Sequence, residues 1–299
     1  MQKYFDYFQN EYPHIYVEKD FDFKRHTTIG IGGLSPLAVF PQNCDELKSI
    51  LQYCFKHSMP YYPLGKGSNL LVADNGFNGF VIVTSRMQSV CLKENYLYAE
   101  AGLSLTKLVQ FAKAHSFDGY VPLLGFPATV GGAIYMNAGI QTGHMGDIVH
   151  EVYAMDRAGN VQVFQKEDCK FAYKNTVFMQ NRAVIFAALL QTKKTDLAVI
   201  EKAIVARKQE RATLPKERSM GCVFKNFEDV PAGQLIDLAG CKGLQIGGAK
   251  VSTEHANFIV NMGSATAQDV QQLIAILKER VYNKFKRQLK EEIEYLGDF

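Results

Sequence analysis

The sequence predicts an α+β fold, a large mixed N-terminal part followed by a smaller α/β part. Three observations predict it. Short β-runs alternate with helical stripes as far as about Arg211. A charged stretch and Pro215 then break the pattern, and a second set of helix and strand signals runs to the end. The 299 residues are 47% hydrophobic and 21% charged, with 24 Gly against 9 Pro, which is ordinary globular usage with room for two domains of roughly 100 to 200 residues. We set residues 1–205 as the first, divided near 74/75, and 206–299 as the second.

The elements follow in order. Leu47, Ile50, Leu51, Cys54 and Phe55 form the apolar stripe of a helix within 43–58. A strand leads into the run 63–72, and apolar runs at 80–83 and 96–99 are further strands. A helix starts near Ser104, with Leu105, Leu108, Val109 and Ala112 on one face. The run 125–139 is too rich in Gly and small residues for an ordinary core element. Residues 149–155 and 161–164 form a hairpin around the polar loop 156–160. Residues 184–190 are a buried strand or a short core helix, and the leading Val and Ile favour the strand. A helix from Thr195 to about Arg211 closes the first part. The second part holds a short helix between Pro231 and Gly240 and strands near 244–251 and 257–260. Its final helix is capped by Thr266 and carries Val270, Leu273, Ile274, Leu277 and Val281 on one stripe.

Lys and Arg exceed Asp and Glu by three, scattered along the chain, so no nucleic-acid or membrane partner is expected. The first twenty residues lack a continuous apolar segment and no window reaches membrane-span length, which sets a cytoplasmic protein as the expectation. Six cysteines without a C-x-x-C pair read as free thiols, and no metal site is expected.

Two glycine loops stand out. Gly65-x-Gly67-Ser68-Asn69 follows a strand, and Pro127, Thr129 and Gly131-Gly132 sit among small residues. Each alone makes a tight turn; together they can aim several backbone N–H groups at one anion such as a pyrophosphate, each bond to charge contributing about 1.5–3 kcal/mol.

These loops belong to a longer series: HTTIGIGG (26–33), LGKGSNLLV (64–72), GFPATVGGAIYMNAG (125–139), FAYKNTVF (171–178), GCVFKNF (221–227), the run 231–261, and LKEEIEYLG (289–297). In this order the series resembles the UDP-N-acetylenolpyruvoylglucosamine reductase family of peptidoglycan synthesis, from about residue 20 to the end, in its compact type II form. The resemblance implies an FAD-binding unit of the PCMH or vanillyl-alcohol-oxidase type with two subdomains, then a substrate-binding domain. It implies that NADPH reduces a non-covalently held FAD, which in turn saturates the enolpyruvyl ether of a UDP-sugar. A monomer acting on small molecules is expected.

Residue by residue, the resemblance implies cofactor contacts at Leu64, Gly65, Lys66, Gly67, Ser68, Asn69, Leu70, Gly125, Pro127, Thr129, Gly131, Gly132, Ala133 and Arg211. It places a proton donor at Cys222, where the family carries Ser, and a charge stabiliser at Lys174, where it carries Arg. It aligns the catalytic carboxylate with Glu292, with Glu291 as the neighbouring alternative. Tyr173, Lys225, Asn226 and His255 are the substrate contacts, and Arg211 or Lys225 meets a phosphate. A Lys keeps the charge of Arg but loses its two-pronged grip on a carboxylate. Two rivals are another flavin oxidoreductase on the same first-domain fold and a catalytically silent flavin and UDP-sugar binder.

Overall fold

The computed structural model describes residues 2–299, with side chains from Tyr4 onward, and divides the chain into two compact units. The first holds the chain up to Lys19, Leu37–Lys66 and Gly79–Ala212. The second holds Asp20–Pro36, Gly67–Asn78 and Thr213–Phe299. This division differs from the expected one at 205/206, which falls inside the helix Leu197–Ala212. It also assigns 20–36 and 67–78 to the unit that holds the C-terminus.

In the first unit, a four-stranded sheet runs in the order Tyr16–Asp22, Leu34–Phe40, Phe80–Val83, Tyr61–Leu64. Its last three strands are mutually parallel. The helix Cys44–Lys56 makes the crossover that parallel strands require. Asn43 starts that helix by accepting the Glu46 N–H at 2.9 Å, and Leu47, Ile50, Leu51 and Cys54 are buried on its inner face. A five-stranded antiparallel sheet has the order Val161–Gln165, Val149–Met155, Val184–Gln191, Tyr96–Glu100, Val90–Lys93. Val184–Gln191 lies at its centre with its first seven residues buried, which explains an apolar run without alternation.

The glycine-rich stretch departs from expectation. Val130–Tyr135 is a short helix capped by Thr129, and its Val130, Ala133 and Ile134 are buried in the core beneath the five-stranded sheet. Small residues let it pack closely, so low side-chain volume marked a core element rather than a loop.

In the second unit, an antiparallel sheet has the order Arg218–Cys222, Phe258–Asn261, Ala249–Val251, Gln245–Ile246. The helices Ala232–Leu238 and Ala267–Phe285 share a core with it. The expected strand at 244–251 is a tight hairpin, because Gly247 adopts φ +49° and a Cβ on Gly248 would lie 2.3 Å from the Ala265 nitrogen. Leu70–Val72 pairs in parallel with Glu294–Leu296. No helix among the described residues is long and apolar enough to cross a membrane.

Candidate active site

Each unit carries part of the predicted site. In the first, Gly65 follows the strand Tyr61–Leu64 and lies against Thr129: a Cβ on Gly65 would sit 2.6 Å from the Thr129 hydroxyl oxygen. Two of the predicted loops therefore do meet. Their amides are not all free for an anion. Val130 N–H donates to Leu103 O at 2.9 Å, Gly131 N–H to Ala101 O at 2.9 Å, and Gly132 N–H to Thr129 Oγ1 at 3.3 Å. The expected anion nest at Gly131-Gly132 is corrected on this point. Gly131 serves close packing, since its Cβ would come 2.8 Å from that of Ala101. Gly132 is different: a Cβ there would meet only Thr129 Oγ1, at 3.6 Å, so protein packing does not demand the glycine.

Arg211 closes this region from the end of the helix Leu197–Ala212. Its stem lies where a Cβ of Gly125 would be, 2.1 Å from Cδ, and its guanidinium lies 5.8 Å from the Phe126 ring centroid. Burial first, and the neighbouring Arg207 second, lower its pKa. Arg207 has Glu210 as a partner at 3.0 Å and donates to Leu124 O. Arg211 is thus a partly desolvated cation beside another cation, an arrangement that an anionic ligand relieves.

Tyr173 and Lys174 are the two central residues of a tight turn, closed by Ala172 N–H to Asn175 O at 3.0 Å and Asn175 N–H to Ala172 O at 3.3 Å. Lys174 adopts φ +51°, a left-handed conformation that non-glycine residues seldom take. The turn is anchored to the glycine-rich segment. Buried Asn137 donates from Nδ2 to Ala172 O at 3.0 Å and accepts Gly146 N–H at 2.9 Å, and the Thr176 hydroxyl donates to Tyr135 O at 2.7 Å. Sequence reasoning missed Asn137, although it stands inside a quoted motif.

In the second unit, Cys222 ends the strand Arg218–Cys222. Ser219 pairs with Val260 and Cys222 with Phe258, so three steps on one strand match two on the other. This β-bulge includes Gly221 at φ +78°, with open space where its Cβ would be. A bulge re-aims the residue beyond it, here Cys222. Buried Asn257 then holds the following chain: it accepts Phe224 N–H at 2.9 Å and donates to Phe224 O at 2.8 Å, while its own carbonyl accepts Val223 N–H at 2.8 Å.

The C-terminal segment runs antiparallel to this stretch. Glu292 N–H donates to Val223 O and Lys225 N–H to Lys290 O, both at 2.8 Å, with Phe224 opposite Glu291. Glu292 is therefore hydrogen-bonded through its backbone to Val223, the residue next to Cys222. Glu291 engages Lys278 and the Tyr295 hydroxyl. Glu292, the other candidate carboxylate, is the one whose N–H pairs with Val223.

The remaining candidates have visible structural duties. Asn226 is exposed, and its Oδ1 accepts Ala232 N–H at 3.0 Å at the start of the helix Ala232–Leu238. His255 accepts Asn257 N–H at Nδ1 (3.3 Å) and sets its ring edge-on to Phe258; burial lowers its pKa. Thr28, in the HTTIGIGG run, donates its hydroxyl to Ser219 O at 2.7 Å and its N–H to Gly67 O at 3.2 Å. Gly67 cannot carry a side chain, because a Cβ would lie 2.8 Å from His26 O.

Residues 214–296 match the family described as UDP-N-acetylenolpyruvoylglucosamine reductase, C-terminal domain, and residues 35–165 match the FAD binding domain family. The UDP-N-acetylenolpyruvoylglucosamine reductase of Alkaliphilus oremlandii is 37% identical over 290 residues, 96% of this chain and 95% of that protein. Its counterpart in Anoxybacillus flavithermus is 38% identical over 276 residues, 91% of each. The crystal structure of UDP-N-acetylenolpyruvylglucosamine reductase from Thermus caldophilus matches with a TM-score of 0.83 at 35% identity, covering 95% of this chain and 100% of that one.

Proposed function

The chain belongs to the UDP-N-acetylenolpyruvoylglucosamine reductase family, and we propose that Lys174, Cys222 and Glu292 carry its reaction. It is an NADPH-dependent flavoenzyme that reduces the enolpyruvyl ether of its UDP-sugar substrate to UDP-N-acetylmuramate for peptidoglycan synthesis. Bound FAD supplies the means of passing two electrons from NADPH to the enolpyruvyl double bond.

The chain's own groups do the rest. Leu64–Leu70 and the segment from Gly125 through Pro127 and Thr129 to Ala133 hold the cofactor, with Gly132 leaving room for it and Arg211 offering charge to a phosphate. Reduction leaves negative charge running onto the substrate carboxylate and requires a proton at the adjacent carbon. Lys174 stabilises that charge, Cys222 gives the proton, and Glu292 orients the group or relays the proton. Tyr173, Lys225, Asn226 and His255 position the substrate. Six cysteines outside any disulfide fit the reducing cytoplasm, where NADPH and UDP-sugars are available to a monomeric enzyme.

The observation that supports this reading is the backbone hydrogen bond from Glu292 N–H to the carbonyl of Val223, the residue after Cys222. Anaerobically reduced protein mixed with the enolpyruvyl-UDP-sugar tests it. Reoxidation of the flavin with one equivalent of UDP-N-acetylmuramate is expected. Flavin that stays reduced would leave the silent-binder reading in its place.

A further inference from the structure

Glu292 is held through its backbone from two sides, and one of them is a side chain in the glycine loop. Its N–H donates to Val223 O, and its carbonyl accepts from Asn69 Nδ2 at 3.0 Å. Two residues on, Glu294 N–H donates to the Asn69 carbonyl at 2.9 Å, and the parallel pairing of Leu70–Val72 with Glu294–Leu296 follows. The Asn69 amide thus stands in for the next rung of that ladder, capping it where Glu292 departs to meet the Cys222 stretch.

A residue fixed at both backbone groups has little freedom in φ and ψ, and its side chain leaves in a set direction. Glu291 is itself tied to Lys278 and Tyr295. We propose that Asn69 is a positioning residue for Glu292. Its side-chain amide aims the carboxylate for the proton-delivering step, in addition to any contact its backbone makes with the cofactor. The inference rests on the reading of Glu292 as catalytic. It links the loop predicted to hold the flavin to the residue that acts after the flavin has been reduced.

The test compares both half-reactions of the holoenzyme in wild type, Asn69→Ala, Asn69→Asp and Glu292→Gln. In Asn69→Ala, reoxidation by substrate should slow at least tenfold more than reduction by NADPH, at matched FAD occupancy. Asn69→Asp separates positioning from general damage. An ionised carboxylate repels the Glu292 carbonyl, whereas a protonated one can donate to it. Reoxidation in that variant should be slow near pH 8 and recover relative to wild type as pH falls through the carboxyl's titration. This pH response decides the matter even if Asn69→Ala folds poorly. Three outcomes overturn the proposal: equal losses in both half-reactions, no pH-dependent recovery in Asn69→Asp, or wild-type reoxidation in the Asn69 variants while Glu292→Gln is slow. Normal reoxidation in Glu292→Gln removes the underlying reading as well.

Discussion

At Cys222, the proposed acid, a thiol stands where the family usually carries a hydroxyl, and thiols release a proton more readily than alcohols. General acid catalysis contributes about 10² to 10⁴ in rate, so Cys222→Ala should slow flavin reoxidation by that range and leave reduction by NADPH nearly intact. Cys222→Ser, restoring the family's residue, should retain activity. Single-turnover absorbance reads both steps. At Lys174 the charge is kept on a point-like ammonium, in a turn tied through Asn137 to the glycine-rich helix. Loss of one preorganised stabiliser costs on the order of 3–4 kcal/mol, so Lys174→Ala should lose two to three decades in reoxidation rate. Lys174→Arg should keep substantial activity.

Among the elements, the bulged strand Arg218–Cys222 and the segment 290–292 matter most; motifs marked both, but strand periodicity marked neither. The bulge at Gly221 destroys the two-residue alternation that marks a strand, and Glu294–Leu296 is too short to show any period. The helices Cys44–Lys56, Leu105–Ala114 and Ala267–Phe285 were legible because Asn43, Ser104 and Thr266 cap them and their buried stripes run for two turns or more. His255 braces Asn257 from within this region, and its pKa is depressed by burial. The folded state therefore disfavours protonation that the unfolded chain accepts below about pH 6.5. Stability is unaffected by this group above that pH and falls as pH drops from 6.5 toward the lower folded value. Urea melts at pH 7.5 and 5.5 should show a smaller pH-dependent loss in His255→Gln than in wild type.

For the whole molecule, a reading in chain order found the parts but not their allegiance. Residues 20–36 and 67–78 belong to the unit completed by 213–299, an association that needs partners about two hundred positions away, such as Thr28 with Ser219 and Asn69 with Glu292. Spacing carries no trace of such pairs. Asn137 and Asn257 escaped notice because a buried amide that only orients its neighbours has no sequence pattern of its own. Glu292 is proposed to act only after the flavin is reduced. Stopped-flow absorbance of Glu292→Gln, first with NADPH and then, once reduced and free of oxygen, with the enolpyruvyl-UDP-sugar, tests this directly. Near wild-type reduction and substrate affinity are expected, with reoxidation slowed by about a hundredfold or more, the pattern of an interaction made mainly in the transition state. Reoxidation at the wild-type rate would contradict that role.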